Sequence, residues 1–280
     1  MNKISYVSFW RGFENNTTFH DVFKFVFSDV KVPVTITSVF GDYDEHVHPS
    51  NELLVSYSGE PYNNQYGPRS VNLIMDDTYR ENIIAMPLFS MYAYEYNTWS
   101  LLKSPRPLVE EKKYFCTFIV QNGGVHERNM FFTLLNQVKA VHSCGPYMNN
   151  TGVCAPKGDA YFPFLQKFKF MICFENTNKT NYVTEKIMNA YCGGCIPIYW
   201  GTPQVLEWFN PEAFLYLEDT SEQGMQALIA KIMEIDADPV KYEYIRSQPL
   251  IKGEVPACLL KETWKAQSDA YLRKHRPDVF

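Results

Sequence analysis

The sequence has no long apolar run, which excludes a class before any motif is read. No segment reaches about 18 apolar residues without charge, and a membrane-spanning helix needs roughly 20. The opening MNKISYVSFWRGFENN holds no apolar stretch of signal-peptide length. The expectation is a soluble, cytoplasmic protein with no stable membrane insertion. Positive charge is not in excess either: 26 Lys and Arg face 31 Asp and Glu, a net charge of −5. A dedicated nucleic-acid binder needs a basic face to offset phosphates, so nucleic acid is excluded as a partner. A local basic pocket for a small phosphate ligand is compatible with this balance. The seven cysteines are odd in number and show no secreted-scaffold pattern, which points to reduced thiols rather than a disulfide framework. Cys192-Gly-Gly-Cys195 lacks the second pair that a structural zinc site uses, and its position beside an apolar strand marks both thiols as core. One HxH pair, His46 and His48 in DYDEHVH, is a poor metal site without further ligands. No internal repeat and no low-complexity stretch is present.

Hydrophobic residues make up 46% of the chain and aromatics 16%, enough for a sizeable core. At about 150 residues per domain, 280 residues give roughly two domains. The first half reads as short β-rich segments separated by turns: residues 4–9, 32–41, 52–59 and 71–75. Residues 19–27 (FHDVFKFVF) fit either helical or alternating spacing. KSPRPLVEEKK at 103–113, with two prolines and six charges, is the linker candidate. Beyond it come a strand at 114–122 and a helix carrying Phe131, Leu134, Leu135 and Val138 at spacings of three and four. A strand ends at FEN, and a helix (VTEKIMNAYCGG) is closed by two glycines suited to the left-handed end position. A strand (CIPIYWG) and a late helix with Leu228, Ile229, Ile232 and Ile235 on one side follow. Such alternation implies parallel sheets, and open parallel sheets hold ligands beyond the carboxyl ends of their strands.

Chemistry concentrates in Phe170–Pro203: a strand, a polar loop with Glu175, Asn176 and Asn181, and a helix opening on Thr184, Glu185 and Lys186. Free N–H groups and partial positive charge at a helix start attract phosphate. Lys186 in the first turn runs against the dipole preference, and a bound diphosphate would account for it. Glu185 reads equally as a dipole-favourable helix start and as an acceptor for ligand hydroxyls. Two Asp-x-Asp triplets occur, Asp42-Tyr43-Asp44 in a loop after a strand and Asp236-Ala237-Asp238 at a helix end.

This stretch resembles the donor-binding motif of the α1,3-fucosyltransferases of glycosyltransferase family 10. The shared blocks are Phe174-Glu175-Asn176, Tyr182-Val183-Thr184-Glu185-Lys186 and Pro197-Ile198-Tyr199-Trp200-Gly201-Thr202-Pro203, in family order and spacing. Phe115–Phe132 resembles the family's strand, Asn, loop and Arg-Asn segment, and Trp208–Asp219 the stretch after the motif. SYSGEPY resembles a Gly-Glu-Asn stretch of bacterial members, with Pro61 in place of Asn. The resemblance implies a GT-B fold, α/β, with two Rossmann-like domains facing across a cleft. Residues 1–105 would hold the acceptor and the base, and residues 106–280 would hold GDP-L-fucose, with the last helix packing back on the first domain. It implies a soluble bacterial- or viral-type member that transfers L-fucose with inversion to GlcNAc or Glc of a lactosamine-like oligosaccharide, in α1,3 or α1,4 linkage.

By the same resemblance Glu60 takes the acceptor proton. Arg128 and Lys186 neutralise the leaving GDP, and Asn176, Tyr182 and Glu185 orient fucose and ribose hydroxyls. No metal is required, with Mn or Mg at most stimulatory. On the residues alone Glu60 reads as a solvated turn residue; Glu52 and Asp76 are the other acids flanking strands in that half. Alternatives are a GT-B enzyme using another nucleotide sugar, a glycoside hydrolase with paired carboxylates such as Glu60 and Glu175, and a non-catalytic sugar-binding module.

Overall fold

The computed structural model describes residues 3–75, 80–106 and 112–280. In chain order its elements are β1 (Ile4–Val7), α1 (Thr17–Val26), β2 (Val34–Thr37), β3 (Leu53–Ser58), β4 (Val71–Ile74), β5 (Ile83–Ala85), α2 (Leu88–Glu95), α3 (Trp99–Leu102), β6 (Tyr114–Phe118), α4 (His126–Val138), β7 (Val141–Ser143), α5 (Tyr161–Leu165), β8 (Phe168–Phe174), α6 (Glu185–Cys192), β9 (Ile196–Trp200), α7 (Val205–Trp208), β10 (Leu215–Tyr216), α8 (Glu222–Ala237), α9 (Pro239–Ser247) and α10 (Lys261–His275). They form two compact units. The first comprises Met1–Tyr96, Lys179–Tyr182 and Val255–Phe280; the second comprises Asn97–Asn178 and Val183–Glu254.

The first unit is built on a parallel sheet in the order β1-β2-β3-β4-β5. Every residue of β2, β3 and β4 is buried, as expected of parallel strands covered on both faces. The ambiguous segment at 19–27 is helical. The Asn16 side chain caps α1 by accepting from the Phe19 N–H at 3.1 Å, and Phe19, Val22, Phe23 and Val26 form one buried stripe. That stripe shares a core with Trp264, Tyr271 and Leu272 of α10.

The second unit holds a parallel sheet in the order β10-β9-β8-β6-β7. Leu228, Ile229, Ile232 and Ile235 of α8 are all buried in its core. Each unit is thus the Rossmann-like α/β unit that the resemblance implied, and two such units are the content of the GT-B class.

Three local expectations are corrected. Val138 is 56% exposed; the buried face of α4 is instead Arg128, Phe131, Phe132 and Leu135, because the helix turns its last residue out of the core. The proline-rich segment is no free linker at its described end. Arg106 is buried and donates to the carbonyls of Ile245, Arg246 and Ala213, which ties it into the second unit; residues 107–111 lie outside the described residues. Of the two glycines closing α6, only Gly194 takes the left-handed region, at φ +74°, while Gly193 stays at −74°. Cys192 and Cys195 are buried free thiols, and burial pushes them up to about 12 and about 11. They behave as core residues.

Candidate active site

In the second unit β6 and β8 are neighbours, and each is followed by a loop and a helix, α4 and α6. Arg128 sits in the first turn of α4 with only 1% of its surface exposed. It donates to Asn176 Oδ1 at 3.0 Å, to the Phe174 carbonyl at 3.4 Å and to the Asn122 carbonyl. The guanidinium therefore ties the loop after β6 to the loop after β8. Asn176 is half-buried.

Glu175 organises the second loop. Its side chain is fully buried. It accepts from the Thr184 backbone N–H at 2.8 Å, the Thr184 hydroxyl at 2.8 Å and Lys186 Nζ at 2.9 Å. The Tyr199 hydroxyl approaches at 3.4 Å. Burial and the nearby carboxylate hold that hydroxyl well above its ordinary range. Glu175 thus satisfies an N–H at the start of α6, as a carboxylate at a helix N-terminus should, and fixes Lys186. This explains a cation in the first turn without any ligand, so the dipole anomaly of Lys186 is already half resolved by the protein. A side chain at Gly201 would lie 2.7 Å from the Tyr199 hydroxyl and 3.0 Å from Glu175 Cγ, so the motif needs glycine there.

Glu185 is the first residue of α6, half-buried, and its carboxylate has no hydrogen-bond or ion-pair partner among the described residues. Arg128, Asn176, Glu185 and Lys186 are therefore brought together in the second unit. Tyr182 is not part of that group: it is buried, its N–H donates to the Lys179 carbonyl at 3.0 Å, and Lys179–Tyr182 belongs to the first unit. Sequence reading passed over Glu175 and Thr184 as organisers: the two are nine residues apart, too far for any local capping pattern to join them.

Glu60 lies in the first unit just beyond β3 and is half-buried. The Ser58 hydroxyl oxygen accepts from the Glu60 N–H at 3.1 Å and donates to the Tyr62 carbonyl at 2.6 Å, which folds the loop back on the strand end. A Cβ on Gly59 would meet Leu88 at 2.9 Å and the Tyr57 hydroxyl at 3.2 Å. Burial, with Tyr92, Glu60 and Glu95 nearby, holds Tyr57 well above its ordinary range. Lys179 donates to the Pro61 carbonyl of the same loop at 3.1 Å. Glu52 precedes β3 and bonds Thr35 at 3.3 Å. It stands at the opposite edge of the sheet from Glu60, separated by the strand's six residues or about 20 Å. Asp76 lies outside the described residues.

The Asp-x-Asp triplets have local roles. Asp236 pairs with Lys139 and Lys169, and Asp238 caps α9 through the Val240 and Lys241 N–H groups. Asp44 accepts from the His46 N–H at 2.9 Å, and His48 Nδ1 bonds the Tyr43 hydroxyl at 2.7 Å.

Residues 109–247 match the family described as glycosyltransferase family 10 (fucosyltransferase), C-terminal part. That segment of the chain is similar to the C-terminal part of the family 10 fucosyltransferases. Over 108 residues it is 40% identical to the α-(1,3)-fucosyltransferase FucT of Helicobacter pylori, covering 39% of this chain and 22% of that protein. Over 79 residues it is 37% identical to an α-(1,4)-fucosyltransferase of Arabidopsis thaliana, covering 28% of this chain and 19% of that protein. The chain thus spans about a fifth of the length of these relatives. A crystal structure of an α1,3-fucosyltransferase with GDP superposes with a TM-score of 0.75 at 22% identity, covering 97% of this chain and 90% of that one; the same title with GDP-fucose gives 0.73. The fold of the whole described chain is therefore that of these enzymes. Arg128, Asn176, Glu185 and Lys186 all lie inside the family 10 segment, and Glu60 lies outside it.

Proposed function

We propose that the protein transfers L-fucose from GDP-L-fucose, with inversion, to a hydroxyl of GlcNAc or Glc in an oligosaccharide, forming an α1,3 or α1,4 linkage. One observation carries this reading. Two helix starts at the carboxyl edge of neighbouring strands each hold an enclosed or half-buried cation, Arg128 and Lys186, joined through Asn176 and Glu175. Such a pair of fixed cations beside free N–H groups suits a diphosphate whose charge grows as the bond to the sugar breaks. Glu185 and Asn176 supply acceptor and amide groups for fucose and ribose hydroxyls, while Tyr182, buried in the first unit, stands outside this group. Glu60 receives the proton of the attacking hydroxyl. The side-chain cations do the neutralising, so no metal is needed, and Mn or Mg at most stimulates.

Calorimetric titration of GDP against UDP tests the donor. GDP binds and UDP does not on this reading; equal binding sinks it in favour of another nucleotide sugar. Activity persists in EDTA. Complete loss in EDTA with recovery in manganese overturns the metal-free step.

A further inference from the structure

The first unit holds a cavity of about 780 Å³ lined by residues 39–46 and 63–66. Those two segments leave the carboxyl ends of β2 and β3, the edge where open parallel sheets hold their ligands. The volume falls within the roughly 300–1,000 Å³ common for small-molecule sites. The second segment continues the loop that begins with Glu60.

The walls are held before any ligand arrives. The Phe40 N–H donates to the Ser8 carbonyl at 3.0 Å, and the Ser8 hydroxyl donates to the Asp42 carbonyl at 3.2 Å. The Tyr66 N–H donates to Asn72 Oδ1 at 2.9 Å, and its hydroxyl bonds Thr37 at 2.9 Å. Phe40 is 48% exposed and packs edge-on against Trp10, leaving an aromatic face for an apolar ligand surface. The Asp42 carboxylate makes no hydrogen bond among the described residues, while Asp44 and Glu45 each commit one oxygen, to the His46 and Gly67 N–H groups. No Lys or Arg lines the cavity. Among the described residues no group of three or more His, Cys, Asp or Glu side chains is arranged to hold a metal ion.

An aromatic face beside carboxylates, amides and one histidine, His46, with no Lys or Arg, fits a hydroxylated and uncharged ring. Carboxylate oxygens accept strongly from hydroxyls and repel an anionic ligand. We propose that this cavity is the acceptor subsite, and that Asp42, Asp44 and Glu45 make it take neutral saccharides and turn away acidic ones. The proposal rests on the transferase reading above.

The test uses the whole chain, N-acetyllactosamine and its sialylated form. Saturation-transfer NMR without nucleotide is expected to show N-acetyllactosamine bound, with the signal lost in Phe40→Ala while GDP titration is unchanged. In Asp42→Asn/Asp44→Asn the ratio of kcat/KM for the sialylated over the neutral acceptor rises by about 10-fold or more. An unchanged signal in Phe40→Ala, or an unchanged ratio in the double variant, overturns the subsite. So does tight manganese binding that the double variant abolishes, which would make the cavity a cation site. Failure of GDP to bind overturns the donor reading instead, and the nucleotide-free NMR keeps the two failures apart.

Discussion

Lys186 Nζ lies 2.9 Å from Oε2 of Glu175, a carboxylate with no exposed surface. The same oxygen accepts from the Thr184 hydroxyl, and its partner oxygen from the Thr184 N–H. An amide at this position would turn two donor hydrogens toward groups that are themselves donors. Glu175→Gln is therefore expected to lower unfolding free energy by about 1–3 kcal/mol and to weaken GDP binding by releasing Lys186. Urea unfolding checks the first effect, and an unchanged midpoint would show that Glu175 is dispensable to the fold.

On the proposed donor reading, Arg128→Ala and Lys186→Ala each remove charge-assisted bonds to phosphate, worth about 1.5–3 kcal/mol. GDP affinity should fall roughly 10- to 100-fold in each. Arg128 also loses its ties to Asn122, Phe174 and Asn176. Both variants should therefore lose stability: Arg128→Ala through those ties, and Lys186→Ala because it leaves the buried Glu175 carboxylate without its cation. Arg128→Lys should fail to restore binding, because an ammonium cannot span several acceptors as the planar fork does. Wild-type GDP affinity in both alanine variants rejects the donor site.

Glu60 sits in the first unit while Arg128, Asn176, Glu185 and Lys186 sit in the second. A base acts on the acceptor, so Glu60→Gln should bind GDP-fucose like the wild type and lose transfer by about 100-fold or more. The swap is nearly isosteric, and thermal unfolding should change little. Near-normal transfer would place the base elsewhere, and Glu52 is then a poor substitute because it stands at the other end of β3.

Asp236 sets a pH dependence of stability. Burial alone would raise its carboxyl, but bonds from Lys139 and Lys169 outweigh this and hold it below the ordinary range. A depressed folded-state value means the contribution is present above the unfolded carboxyl's value, about 3.9, and is lost as pH falls through the folded value. Asp236→Asn should therefore destabilise the protein at pH 7 and shrink the loss of stability seen on acidification toward pH 3. Equal acid limbs in urea unfolding of the two proteins would refute the role.

The parallel α/β character of both halves was legible in the sequence, because buried parallel strands write themselves as continuous apolar runs such as LLVSYS and FKFMICF. The position of the loop after β8 was legible too, since a polar Glu-Asn directly after such a run lies at a sheet's carboxyl edge. Periodicity could not decide which way short amphipathic ends turn. Val138 kept the spacing of its helix and still faces solvent. Composition marked 103–113 as a linker, yet Arg106 is enclosed by carbonyls from residues 213, 245 and 246. Partners so distant in sequence leave no local trace. The same holds for Glu175: its acidity was visible, but only the folded chain sets it between Thr184, Lys186 and Tyr199. Local sequence determines strand, turn and helix start because those depend on neighbouring residues. Whether a charge is free for a ligand depends on what the rest of the chain folds against it, and only the tertiary structure decided that.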